Sequence, residues 1–216
     1  MAAPARHAHV STRPRRPRGI RTRRAILRRA VALASLEGLE SLTIGRLATE
    51  LRMSKSGLFA HFGSKEELQY AAVETAAEIF ADEVIRPTSG QAGVRRLRAL
   101  CGHWFRYAEL GALPGGCFFT AASLEFDDRP GRVRERIVEL MQKWMERLER
   151  TIREAQEAGE VERAVDPRQV AFEIHALAMG ANWRRRLFRD PTAFAKARRA
   201  IQARIDQMAG KERRRR

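Results

Sequence analysis

Acidic residues are scarce in this chain. Asp and Glu total 26 against 42 Lys and Arg, a formal net charge of +16 over 216 residues, and none precedes Glu37. Such an excess favours a polyanionic partner, either nucleic acid or an anionic membrane surface. Arg is used far more than Lys, so part of the excess reflects composition, but its uneven distribution keeps the argument alive. Cysteine is scarcer still. Cys101 and Cys117 are too few and too far apart for a zinc or CxxC site, and nothing points to an oxidising compartment. No run approaches the roughly 18 to 20 apolar residues of a membrane span. The N-terminal arginines are followed by no apolar segment of the secretory kind, so a cytoplasmic protein with no membrane partner is expected. The histidines, His7, His9, His61, His103 and His175, form no HExxH, and there is no GxSxG or Gly-rich phosphate loop. No metal, cofactor or catalytic set is expected. A Cys–His pair drawn from His103 or His175 with Cys101 or Cys117 is the one enzymatic alternative. Asp127 and Asp128, just ahead of Pro130, read as a solvated loop rather than a metal site.

What the chain has in quantity is helical periodicity. Residues 1–19 hold Arg6, Arg13, Arg15, Arg16 and Arg18 among Pro4, Pro14, Pro17 and Gly19, and read as a disordered basic arm. Such an arm either lies along phosphates or serves as a solubilising tail. Residues 21–37 follow, with Ile26, Leu27, Ala30, Val31 and Ala34 as one stripe and Gly38 as the stop. Ser64 to Glu67 reads as a capping box opening a long helix that ends at Pro87. Residues 91–110 form an amphipathic helix, broken by Gly111 to Gly116. Residues 117–122 are short and apolar, helix or strand by pattern alone. Residues 132–158 give the longest helix, and Asp166-Pro167 and Asp190-Pro191 each open another. Lys211 to Arg216 read as a charged tail. No strand pattern competes, so the fold class is all-α with about nine helices.

One stretch organises the rest: Thr43 to Phe62, TIGRLATELRMSKSGLFAHF. Ile44, Leu47, Ala48 and Leu51 define the apolar face of one short helix, and Leu58 and Phe62 that of a second. Ser54, between them, is placed to cap the second. Helix, tight turn and helix form the geometry that sets a second helix into the DNA major groove. That helix presents Lys55, Ser56 and His61 as donors for phosphates, while Gly57 lets its backbone approach the duplex. The bland alternative is two helices of an ordinary bundle. Lys65, a cation at a helix N-terminus, opposes the macrodipole, and a DNA phosphate nearby would account for it.

The order of basic arm, supporting helix, TIGRLATELRMSKSGLFAHFGSKEEL and helical remainder resembles the tetracycline-repressor (TetR/AcrR) family of bacterial transcriptional regulators. The specific part covers about residues 20–68, and the remainder matches in helix count and breaks. The resemblance implies a DNA-binding domain over 20–68, a ligand-binding and dimerisation domain over 69–208, and a basic tail over 209–216. It implies that Thr43 starts the second helix and contacts a phosphate. Lys55, Ser56, Gly57 and Phe59 would lie on the recognition helix, with His61 and Lys65 reaching phosphates at either side of the following turn. Two positions depart from the pattern. Arg52 or Met53 stands where the family usually has Gly, a strain of ~1 kcal/mol if φ is positive, and Phe59 stands where Tyr is common. Arg52 could restore some affinity as a cation.

The resemblance further implies a small-molecule pocket, with His103, Trp104, Tyr107, Phe118, Phe119, Trp144 and His175 as candidates. Their character suggests a small apolar or aromatic effector. It also implies a homodimer formed by the last two helices. There Ala171, Ile174, Leu177, Ala178, Ala181, Phe194, Ile201 and Ile205 supply more apolar surface than one core face needs. Three readings follow: a repressor released from a palindromic double-stranded DNA operator by an effector, a basic nucleic-acid-binding protein without effector control, and a helical enzyme.

Overall fold

The computed structural model describes residues 17–111 and 113–213, and among them every regular element is helical. Nine α-helices are present: α1 Pro17–Glu37, α2 Ile44–Leu51, α3 Lys55–Phe62, α4 Lys65–Phe80, α5 Gly93–Leu110, α6 Phe118–Glu125, α7 Arg132–Glu157, α8 Pro167–Leu187 and α9 Ala193–Arg213. The all-α expectation is met, with differences at the ends of elements. The first helix begins at Pro17, so residues 17–19 belong to it and not to an arm, and the rest of that arm lies outside the described residues. The last helix runs to Arg213, so of the tail only 214–216 lie outside. Residues 117–122, ambiguous by pattern, open a helix, with Cys117 as its N-cap and its body running Phe118–Glu125.

Local chemistry sets the small helices. Thr43 Oγ1 accepts from Arg46 N at 3.0 Å, Ser54 Oγ from Gly57 N at 3.1 Å and Ser64 Oγ from Glu67 N at 3.1 Å, each satisfying a first-turn donor. The capping box is completed differently from expectation, because the Glu67 carboxylate pairs with Arg132 of α7. Leu39, Leu42, Leu47, Leu58 and Leu68 are fully buried with Val31 between α1 and α4, closing the core of the N-terminal unit. Beyond Phe80 the α4 helix does not stop. It loosens into a π-turn, Ala81–Ile85, and then a 3₁₀ turn, Arg86–Thr88, that contains Pro87.

The C-terminal helices form a bundle in which α8 lies along α9, and α7 packs against α4, α5 and α8. Val133, Ile137, Leu148, Ile152 and Ala155 of α7 recur at helical spacing as one stripe and are buried. Leu140, Met141 and Trp144, from the middle of the same stripe, are only partly buried. They border a void.

The two units are stitched together. Glu125, at the end of α6, accepts from Leu39 N at 2.7 Å and Glu40 N at 3.0 Å. Gly38 makes room for it: its φ is +90°, and a Cβ there would stand 2.7 Å from Glu125 Oε1. Nearby, Gly115 N donates to Ser35 Oγ of α1 at 3.0 Å, and a Cβ on Gly115 would overlap the Ser35 carbonyl.

Candidate nucleic-acid interface and ligand cavity

In the helix-turn-helix, Leu58 and Phe62 bury one side of α3, and this turns Lys55, Ser56, Phe59 and Ala60 outward. Phe59 is 57% exposed, a large apolar side chain left in water with no role in the core. Ala60, four residues after Ser56 on the same outer face, is an addition that helical spacing could have supplied. His61 sits at the margin of that face, half-buried, with its ring 6.1 Å from Phe62. Ser56 Oγ donates to Ser54 Oγ at 3.3 Å. Gly57 has a local role as well, since a Cβ there would stand 3.0 Å from the Ser54 hydroxyl that caps the helix.

The Lys55 stem folds back over the start of α2. A Cβ on Gly45 would lie 3.5 Å from Lys55 Cε and 3.8 Å from its Nζ, and 3.9 Å from Thr43 Oγ1. An ammonium, a threonine hydroxyl and a helix N-terminus therefore share one spot, a combination suited to an anion. Between α2 and α3, Arg52 has φ +54° and ψ +39°, so the turn is left-handed at a residue with a Cβ.

Glu37, Glu40, Glu50 and Glu67 of this unit are already matched by cations of the chain. Glu50 is held below its usual range chiefly by the donated hydrogen bond of Arg29, then by that of Arg46. Glu40 is likewise lowered, first by the hydrogen bond from Lys65. Lys65 thus has an anionic partner inside the chain, and this accounts for a cation at the start of α4 without a phosphate. Arg52, Lys55, Arg21, Arg24 and Arg28 remain as exposed cations.

The void beside α7 is an apolar cavity of about 200 Å³. Trp104, Phe119, Trp144 and His175, four of the pocket candidates, line it. Tyr107 and Phe118 do not. They are fully buried behind it, with Phe118 N donating to Tyr107 Oη at 3.5 Å, and they serve as core. His103 is half-buried on α5 and is not part of the wall. The wall that sequence reasoning missed comes from α4 and its π-turn, Ala77, Phe80, Ala81 and Ile85, and from Leu140, Met141, Lys143 and Arg147 of α7. Phe80 packs edge-to-face on Phe119 at 6.0 Å and on Trp144 at 5.1 Å, joining the two sides. Cys117 and Thr120 complete the α6 side. Burial raises the Cys117 thiol and pushes that of Cys101 up to about 12, so neither is poised as a nucleophile. Burial lowers the His175 imidazole, which favours its neutral form.

The expected dimer residues need correction. Ala171, Ile174, Ala178, Ala181, Phe194, Ile201 and Ile205 are buried within the chain, where α8 and α9 pack on each other and on α5. They are core, and a second copy cannot reach them. Of the eight, Leu177 alone is exposed. The outer face of α8 carries a different apolar stripe: Phe172 (62% exposed), Ala176, Leu177, Gly180, Trp183 (50%) and Leu187.

A capped helix-turn-helix on a helical body that encloses an apolar cavity defines a class, the ligand-binding DNA regulators. The comparisons specify it. The model described as bacterial regulatory proteins, tetR family, matches residues 26–72, and that of the tetracyclin repressor-like C-terminal domain matches residues 93–201, half of the chain. The chain belongs to the TetR family and is a DNA-binding transcriptional regulator. Among solved structures it is similar to a TetR regulator from Chloroflexus aurantiacus (28% identity, 88% of this chain and 97% of that one, TM-score 0.81). It is also similar to AibR in complex with isovaleryl coenzyme A and operator DNA (24%, 87% and 97%, TM-score 0.67). A third is a regulator from Saccharomonospora viridis in complex with choline (22%, 87% and 96%, TM-score 0.75). No curated protein sequence matches it.

Arg52 provides a test of the turn. Arg52→Gly relieves a left-handed Cβ, so unfolding should become harder by about 1 kcal/mol while DNA affinity falls through loss of a cation. Chemical denaturation checks the first effect, and a variant less stable than the wild type contradicts it.

Proposed function

We propose that the protein is a homodimeric repressor that reads a palindromic operator with two copies of α3 and releases it when a small molecule fills the cavity. The observation that carries the DNA half is the outer face of α3. Lys55 lies over the start of α2 beside Thr43, and Ser56, Phe59 and Ala60 point outward with no partner in the core. In this reading Thr43 and Lys55 hold one phosphate, Arg52 and His61 flank it, and the rest of the α3 face meets the groove. Ser54 acts by capping α3. Lys65 reaches a phosphate only by giving up Glu40. The domain division expected from the sequence fits this reading, with α4 as the continuous helix that crosses from one unit into the other.

The effector half rests on the cavity's position. Its wall includes the far end of α4 and the first turn of α6, and the other end of α6 holds the α1–α2 turn through Glu125. A ligand that fits the DNA-free shape better shifts the population away from the bound one. A tenfold loss of operator affinity needs about 1.4 kcal/mol of such preference. Two neighbours of the same fold are seen with small molecules, isovaleryl coenzyme A in AibR and choline in the S. viridis regulator. The two differ in charge, so they support a ligand-responsive reading without selecting a ligand class.

For the dimer, the α8 stripe Phe172–Leu187 takes the place of the buried residues. Large apolar side chains exposed along one face mark an interaction surface, and Ala176 and Gly180 let two helices approach closely. Reading two half-sites on one face of DNA requires that the two-fold axis set the two α3 helices about 34–36 Å apart, one turn of DNA.

Lys55→Ala should weaken binding to all sequences and flatten the log–log salt dependence by about one unit. Fluorescence anisotropy at several salt concentrations measures it, and an unchanged slope excludes the α3 assignment. Trp183→Glu should give folded monomers by light scattering, whereas Ile201→Glu should unfold the chain. A Trp183→Glu variant that stays dimeric moves the interface elsewhere.

A further inference from the structure

Four polar side chains reach the cavity, Thr120, Lys143, Arg147 and His175, and no carboxylate among the described residues lines it. Two of the four are cations, and they differ in their commitments. Lys143 Nζ is paired with Glu139 at 2.6 Å. Arg147 has no carboxylate partner among the described residues, although it is only half-exposed. Its surroundings make this worse. Desolvation, and then the charges of Arg96 and Arg150, lower its pKa, with Glu154 alone acting the other way. Glu154 is shared with Arg96, 3.6 Å away, whose Nε is itself buried without a hydrogen-bond partner among the described residues. A guanidinium drawn partly out of water among other cations is unfavourable until an anion joins it.

The rest of the wall is hydrocarbon and aromatic. A quaternary ammonium held against ring faces is the competing chemistry for such a lining. Here the rings are turned on one another. Phe80 is packed edge-to-face with Tyr107, Phe119 and Trp144 at 5.1–6.0 Å, and a ligand cation would meet Arg147, which no carboxylate among the described residues pairs, beside a Lys143 already held by Glu139. His175, kept neutral by burial, is available as a hydrogen-bonding group rather than a third charge.

We propose that the cavity takes an amphipathic organic anion, a monocarboxylate with a hydrocarbon or aromatic body, whose carboxylate pairs with the Arg147 guanidinium while its body packs among Phe80, Phe119 and Trp144. This rests on the reading of the cavity as the effector site and narrows the small apolar or aromatic effector to an acid. A planar guanidinium matches a carboxylate bidentately, with a directional preference that an ammonium lacks.

The test is a matched series on the full-length protein, octanoate, octanol and octyltrimethylammonium, followed by Trp104 and Trp144 fluorescence and by calorimetry. Octanoate should bind most tightly. Arg147→Gln should weaken octanoate by at least about tenfold and leave octanol within about twofold, and Arg147→Lys should recover part of the anion preference. An unchanged thermal melt shows that the variants are folded. If octanol or octyltrimethylammonium binds as tightly as octanoate, or if Arg147→Gln leaves octanoate unaffected, the anion class is overturned and the effector site stands. If none of the three gives saturable binding to the wild type, the anion proposal and the effector site fall together.

Discussion

Two backbone N–H groups just beyond α1, those of Leu39 and Glu40, find their acceptor 86 and 85 residues away in the Glu125 carboxylate. Hydrogen bonds to a charged acceptor are worth about 1.5–3 kcal/mol each, and leaving a donor without a partner costs a comparable amount. The α1–α2 turn is therefore held from outside its own unit. Other parts of the seam depend on the same geometry. Gln69 donates to Leu39 O at 2.8 Å, Arg129 stands 3.6 Å from the Glu40 carboxylate that also takes Lys65, and Gly38 keeps the space a side chain would fill. Arg132 and Arg136 of α7 continue the attachment along α4 through Glu67 and Glu74.

This arrangement gives the proposed regulation a physical route. α6 is only eight residues long, with Phe119 and Thr120 at the cavity and Glu125 on the turn that leads to α2. A rigid helix of that length passes a displacement at one end to the other. On the α4 side the π-turn at Ala81–Ile85 forms part of the cavity wall, and π-turns inside helices recur at functional sites. Of the five helices that line the cavity, α4 and α6 thus reach the DNA-binding unit. An anion drawn toward Arg147 would pull on α7, whose arginines grip α4, and this adds a third connection.

Much of the fold was legible because its signals are local. Thr43, Ser54 and Ser64 cap helices by bonds spanning three residues, and the stripes of α1, α5 and α7 repeat at helical spacing. Where a segment was too short or too uniformly apolar, periodicity lost its force. Residues 117–122 cannot be told from a strand by pattern, and α8 has apolar residues on both faces, so periodicity does not separate the buried set Ala171, Ile174 and Ala178 from the outer one. Phe172, Trp183 and Leu187, larger and more exposed, were the better signal for that surface. The cavity was half legible. Aromatic side chains pointed to Trp104, Phe119 and Trp144, but a stripe on α4 or α7 does not reveal which of its residues faces a void. The Glu125 seam was not legible at all, since nothing local marks a carboxylate whose partners lie 85 and 86 positions earlier.

Amide hydrogen exchange tests the dependence on Glu125 most directly. In the wild type the amides of Leu39 and Glu40, which lie outside any helix, should exchange as slowly as those in the interior of α1. In Glu125→Ala both should exchange fast, protection in α2 and α3 should fall with them, and that in α5 and α7 should hold. Unaltered protection at Leu39 and Glu40 in the variant would contradict the account, because the turn would then be held by something other than that carboxylate.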